Sequence, residues 1–347
     1  MTEGALDAGE GTQSPETRRR ITLRPPRAKS KLDISFRKPI WHRVAERMIA
    51  VLALGAIAAI ALIFIFIARE AVPMFWEPEF AAEVHLKDIF VAKQWSGYDQ
   101  PVNIWQPVGE PAKFNVVPLF VGSLKVTLLA MLMSVPLGIG CAIFVALYAP
   151  RMVREVVKPT IELLAGIPSV VLGFFALMVI ASWAQATFGF HFRLNAVVAA
   201  IGLALTIVPV IFTIAEDAIQ SVPRTLTEAA LALGARKYQV AMRVVLPAAL
   251  PGIAAGVVLG FGRAIGETMI VLMASGNAAI MELFDFTTSV RTVTATIAAE
   301  LGEVAQGDPH WRVLFLLGVM LFAVTFVLNL VGDLAIQRLQ KKLTAVS

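Results

Sequence analysis

Apolar residues in this chain come in six long runs rather than at alternating positions. The runs cover 46–68, 118–148, 160–183, 195–215, 252–275 and 312–336. Each matches the ~20 residues that a helix needs to cross a ~30 Å hydrocarbon layer. Unbroken runs predict helices and not a barrel, whose strands alternate every second residue. The pattern divides the chain into a polar tail at 1–45, a first span at 46–68, a connection at 69–117 and a core at 118–340. Within that core a polar insert occupies 216–251. The fold class expected is an all-α integral membrane protein with six transmembrane helices. The first span is too long and too uniformly apolar for a cleaved leader, and no small-residue cleavage site follows it, so it reads as a retained anchor.

Composition agrees: the 347 residues are 57% hydrophobic and only 16% charged, with a mean hydropathy of +0.74. Charge adds an orientation. Basic residues crowd the tail from Arg18 to Arg47, the short connection at Arg151, Arg154 and Lys158, the insert at Arg224, Arg236, Lys237 and Arg243, and the end at Arg338, Lys341 and Lys342. The connection 69–117 is instead acid-rich, from Glu70 to Glu110. Because cytoplasmic loops carry the excess of Lys and Arg, this alternation places both termini and the insert in the cytoplasm. The net charge of +5 then belongs to inner surfaces and implies no nucleic acid. The arginine-, threonine- and proline-rich tail reads as a solvated, disordered topology signal, with contact to anionic membrane lipid as the alternative. In the outer connection Trp76, Trp95 and Trp105 read as headgroup-level anchors, with a landing surface for an external partner as the alternative.

Several runs carry helix-disturbing residues: Pro136-Leu137-Gly138, Gly166-Ile167-Pro168-Ser169 and Pro209. Breaks survive in lipid where neighbouring helices or a wet cavity satisfy the freed backbone groups. Cys141, the single cysteine, excludes an internal disulfide. The four histidines show no metal-ligand spacing, and no cofactor or metal is expected.

The insert predicts two short helices. Pro223 suits a helix start and Thr225-Leu226-Thr227-Glu228 has the form of a capping box. Leu226, Ala229, Ala230 and Leu233 recur at helical spacing as a narrow face of small and apolar side chains. Gly234 permits a sharp turn. A second helix is expected over Arg236–Val245, stopped at Leu246-Pro247 by the proline. An amphipathic hairpin lying on the membrane is one reading. The other comes from the register of Glu228, Ala229, Ala230, Gly234, Leu246 and Pro247, which resembles the EAA loop by which ABC importer permeases engage their ATPase.

The fifth run contains Arg263 and Glu267. Counted from Gly252 at 1.5 Å per residue, they lie about 17 Å and about 22 Å from the inner edge. A central arginine costs ~2.5–3.5 kcal/mol on the insertion scale, which marks a functional position. A spacing of four puts the two on one helix face, close enough to pair, with Gly256 and Gly260 on the same stripe. The pair is then either a structural ion pair or a weak positive site for a passing oxyanion. The two glycines are either part of the path or a close-packing GxxxG. Glu162, placed at the start of the third run near Lys158, and Glu216-Asp217, at the end of the fourth, read as caps or partners of basic loop residues.

Three segments together carry a narrower resemblance: the insert, Glu162-Leu163-Leu164-Ala165-Gly166-Ile167-Pro168-Ser169-Val170-Val171, and Gly262-Arg263-Ala264-Ile265-Gly266-Glu267-Thr268-Met269. Over roughly 115–340 the chain resembles a permease subunit of the phosphate-specific ABC importer. Met269–Met273 followed by Gly276-Asn277 is more similar to PstC than to PstA. The resemblance implies a type I importer permease fold in a prokaryotic inner membrane, a PstA-like second permease, two ATPase subunits inside and an external phosphate-binding protein. It further implies coupling through Glu228, Ala229 and Gly234, and a translocation path past Arg263 and Glu267. The chain itself has no Gly-Lys dipeptide, so it lacks a Walker A motif and reads as a non-enzymatic transport subunit. A sulfate or molybdate permease, an anion channel and a membrane-embedded enzyme are the alternatives.

Overall fold

The six apolar runs all become helices, and where their ends depart from the runs the chemistry is informative. A computed structural model of the chain describes residues 40–76, 80, 85–95, 97–279 and 281–344. Most of the tail 1–45 therefore lies outside the described residues. From Ile40 onward the chain is already helical, so α1 (Ile40–Ala71) begins before the expected residue 46. The chain divides into two compact units, Met1–Ala58 and Ala59–Ser347, with α1 contributing to both. In the first unit Leu52, Leu54 and Ile57 are all exposed, a surface suited to lipid.

In the second unit a short helix α2 (Leu86–Phe90) and a two-residue hairpin, β1 (Trp105–Gln106) paired antiparallel with β2 (Lys113–Phe114), lead into the helical core. Four further spans follow: α3 (Val117–Tyr148), α5 (Ser169–Phe188), α6 (Ala196–Gln220) and α8 (Lys237–Ile265); α11 (Pro309–Thr344) closes the chain. Between them lie α4 (Arg151–Ala165), α7 (Arg224–Ala232), α9 (Met269–Ala274) and α10 (Val293–Glu300).

The centre is α6, which packs against α3, α4, α5, α8 and α9. Its start is fixed by the fully buried Asn195, whose side chain accepts the Val198 N–H at 3.0 Å. Apolar burial gives little drive between helices in lipid, so close approach of small residues has to hold them. Ile211 of α6 shows how. A Cβ on Gly138 of α3 would lie 2.9 Å from it, and so would a Cβ on Gly260 of α8. Both helices press their backbones onto that one side chain. Gly202 of α6 is itself pressed between Ala176 of α5 and Ile270 of α9.

The third run does not fold as one span. Residues 160–165 belong to α4, an amphipathic helix with no buried residue, and the span begins only at Ser169. The Gly166–Pro168 segment separates them because Pro168 disfavours helix in the residue before it. Glu162 accordingly sits exposed on α4 rather than opening a span. Lys158 of α4 instead reaches α6, where it pairs with Glu216 at 2.7 Å and with Asp217 at 3.4 Å. Glu216 is fully buried, and Gln220 also donates to it. The bond to Glu216 raises the Lys158 pKa above its ordinary 10.5. The stability that the Lys158 charge contributes is thus fully present below pH 10.5 and is lost as the pH rises through the higher folded value.

The outer-connection tryptophans divide. Trp76 is exposed, whereas Trp105 is 4% exposed and belongs to a core with Phe80, Phe114, Leu119 and Leu314. Its expected place at headgroup level is therefore corrected: the hairpin folds it under, where its indole N–H finds Glu300 at 3.1 Å.

Lys158→Met strands the buried Glu216 carboxylate and should destabilise the subunit by about 3 kcal/mol. Lys158→Arg should retain most of that stability. Thermal unfolding of the detergent-purified protein checks both.

Candidate functional site

The fifth run is a broken span. α8 ends at Ile265, Gly266–Thr268 leave the helix, and α9 resumes at Met269. Two packing registers set the break level with the middle of its neighbouring helices. Gly260 lies against Ile207 and Ile211, the middle of α6. On the other side Gly262 meets Asn329 and Val258 meets Gly332, an antiparallel register that sets Arg263 opposite the middle of the 36-residue α11.

The expected Arg263–Glu267 pair does not form: among the described residues no ion pair joins them. Four residues of spacing bring side chains together only on a continuous helix, and the chain has left the helix at Gly266. Glu267 is turned forward, and its Oε1 accepts the Met269 N–H at 3.2 Å. Gly256 and Gly260 do not share a stripe with Arg263 either. Both are buried against Ile207, Ile211 and Ile214 of α6, while Arg263 faces α11.

There it lines a groove of 550 Å³ between α8 and α11, apolar except for Arg263, Asn329 and Asp333. All three are exposed on this chain. Among the described residues Arg263 and Asp333 have no hydrogen-bond or ionic partner. A bare guanidinium at this depth is costly against lipid, so the groove calls for water, another polypeptide or an anion.

The polar insert is built differently from its expected form. α7 has Pro223 at its N-cap and no side-chain cap, so the Thr225–Glu228 box is absent; Thr227 instead donates back to the Arg224 carbonyl at 2.6 Å. The other end of α7 is firmly closed. Gly234, at φ +82°, donates to the Leu231 carbonyl at 2.9 Å and Ala235 to that of Ala230 at 3.1 Å. These are the two bonds of a Schellman cap, which requires the left-handed residue that glycine supplies. Ala230 packs inward beside Ala235 and Val240, whereas Glu228, Ala229, Leu226 and Leu233 are exposed, Leu233 at 90%.

Pro247 does not stop the second helix. α8 runs from Lys237 straight into the membrane because residues 241–245 form a wide turn, in which the Leu246 N–H bonds the Ala241 carbonyl. That extra residue per turn moves the carbonyl with which the Pro247 ring would collide. Leu246 and Pro247 are therefore the continuous link between the insert and the broken span.

A family of binding-protein-dependent transport system inner membrane components matches residues 114–345. The chain belongs to this family. Among its relatives, a phosphate transport system permease protein PstC of Mesorhizobium japonicum is 35% identical over 69% of this chain and 77% of that protein. A PstC of Xylella fastidiosa is 30% identical over 82% and 89%, and a probable ABC transporter permease, YqgH, of Bacillus subtilis is 37% identical over 64% and 72%. Among solved structures, a bacterial ABC transporter involved in alginate import superposes with a TM-score of 0.55 at 15% identity, covering 86% of this chain and 96% of that one. That likeness speaks for the fold, which is that of a type I importer permease. As a permease of this family the chain is a multi-pass inner-membrane subunit, a non-catalytic component that works with ATPase subunits and a binding protein.

The permease also holds polar groups that sequence reading passed over. Lys125, 6% exposed within α3, donates to the backbone carbonyls of Glu282 and Asp285 and so ties down the loop after α9. That loop presents Phe284, 87% exposed. Glu300 at the end of α10 accepts from Trp105, from Arg291 and from His310, the last at 2.8 Å. Lys125 and Asp333 lie inside expected spans, so the rule that singled out Arg263 would have found them. The Glu300 cluster gathers residues from four separate segments and leaves no local pattern.

Gly260→Ala puts a methyl carbon 2.9 Å from Ile211, and overpacking of this kind should cost about 1–3 kcal/mol. A lowered unfolding temperature in detergent is expected; an unchanged one with transport lost would return Gly260 to the path.

Proposed function

We propose that this permease carries inorganic phosphate inward across the membrane, energised by ATP hydrolysed on other subunits. The observation that carries the reading is the unpartnered Arg263, held at mid-depth beside a broken span in a chain whose relatives include phosphate permeases. A guanidinium presents planar, paired donors matched to the oxygens of an oxyanion. Discontinuous helices at mid-membrane are where transporters place such sites. Glu267, four residues on and bonded to the Met269 N–H, leaves Arg263 able to receive an anion while keeping negative charge close enough to limit the hold.

In this reading both termini and the insert are cytoplasmic. A PstA-like permease covers the α8–α11 groove and completes the path, two ATPase subunits bind inside, and a phosphate-binding protein delivers the ion outside. The exposed Glu228, Ala229 and Leu233 of α7 contact the ATPase, with Ala230 as the base of that surface. Gly234 holds the turn, and the continuous helix through Leu246 and Pro247 passes ATPase motion to the break. The chain supplies no ATPase site of its own.

The complete importer in proteoliposomes should accumulate radiolabelled phosphate when ATP is present inside, and excess sulfate or molybdate should not compete. Competition by either would assign the site to a different oxyanion. A Cβ at Gly234 meets nothing within 4 Å, so Gly234→Asp adds charge beside Leu233 for about 1–2 kcal/mol of backbone strain. The variant should insert yet lose ATPase binding or coupling, measured by co-purification and uptake; full transport would contradict the coupling role.

A further inference from the structure

A break in a membrane span frees carbonyl groups that must find donors within the protein. At Gly266–Thr268 two of the three are met locally: the Thr268 hydroxyl lies 3.4 Å from the Gly266 carbonyl, and the Thr268 carbonyl accepts the Leu272 N–H at 2.9 Å. The third, that of Glu267, accepts from the Thr294 hydroxyl of α10 at 2.9 Å, across 27 residues of chain.

Several buried hydroxyls turn back on their own helices, as Ser123 does to Leu119, Ser134 to Ala130 and Thr296 to Thr292, while that of Ser289 crosses to the Leu194 carbonyl at 2.8 Å. That of Thr294 crosses too. The Thr292 hydroxyl, 3.3 Å away, caps α10 by accepting the Ala295 N–H, so the helix start does not depend on Thr294. The far end of α10 is anchored as well, where Glu300 meets Trp105, Arg291 and His310. The Thr294 donor therefore sits on a helix braced at both ends.

We infer that Thr294 is a positioning residue for transport: its hydroxyl fixes the Glu267 backbone and thereby the geometry of the break beside Arg263. The inference rests on the reading of Arg263 and Glu267 as the path. With the carbonyl clamped from α10 and the carboxylate clamped by the Met269 N–H, Glu267 is held away from Arg263, which keeps the guanidinium free. Without the hydroxyl, the Glu267 carbonyl is left to seek water or the Arg263 side chain, and the site closes on itself.

The test compares Thr294→Val, which keeps the shape and removes the donor, with Thr294→Ser, which keeps the donor and removes a methyl. Glu267→Gln runs alongside, all in the complete importer in proteoliposomes with uptake normalised to assembled complex. Thr294→Val should lower phosphate uptake about five- to ten-fold, the worth of one hydrogen bond, and Thr294→Ser should restore it. Thr294→Ala against Thr294→Ser gives the same contrast should the valine variant fail to assemble. Uptake by Thr294→Val equal to native, or by Thr294→Ser as poor as by Thr294→Val, overturns the inference while an impaired Glu267→Gln leaves the path reading standing. Native uptake by Glu267→Gln takes Glu267 out of the path, and the inference with it, while Arg263→Gln in the same preparation reads the path itself.

Discussion

A guanidinium at mid-depth in a hydrocarbon slab has to be met by something polar, and much of this permease is arranged around the fact that its own residues do not meet it. Arg263 faces the centre of α11, on the side of its helix away from α6, with no ionic partner among the described residues. Its nearest carboxylate in sequence, Glu267, is turned forward to accept the Met269 N–H. The cost of such a charge, ~2.5–3.5 kcal/mol even on a lenient scale, is too large to persist without a role. The groove that holds it opens away from α6, the centre of the bundle.

Holding a break in place requires a rigid frame, and small residues provide it. Gly138 and Gly260 bring α3 and α8 onto Ile211 of α6 at 2.9 Å, closer than a Cβ tolerates without a shift, and Gly256 packs tightly on Ile214. This lets α8 stop at Ile265 without loosening the helices around it. The glycine pair before Arg263 thus serves the site by packing. At the other end α4 is pinned to α6 by Lys158 and Glu216, and the wide turn at 241–245 carries the insert into α8 without a joint. From Lys237 onward the helix is continuous to the break, and the Gly234 turn joins it to α7.

Much of this was legible in the chain. Six spans and the polar insert with its Gly234 turn followed from hydropathy and spacing. What failed was continuity. Helical spacing made Arg263 and Glu267 neighbours, but Gly266 ends the helix between them. Pro247 read as a stop, but one widened turn lets the helix pass. Gly166–Pro168 read as a kink within a span, yet it separates a surface helix from a spanning one. Each error concerns a Gly or Pro whose effect depends on tertiary partners for the freed backbone groups. Partners such as Thr294 for Glu267 cannot be read from local pattern. The Glu300 cluster escaped for the same reason, and with it the buried role of Trp105.

The measurement that bears most directly on the central claim is ATP-driven phosphate accumulation by the reconstituted importer carrying Arg263→Gln. Complex assembly is checked in the same preparation. If Arg263 is the positive site of the path, the variant assembles with its partners and uptake is abolished. Uptake at the native level in an assembled Arg263→Gln complex would contradict the account and leave the arginine as a structural feature of the groove.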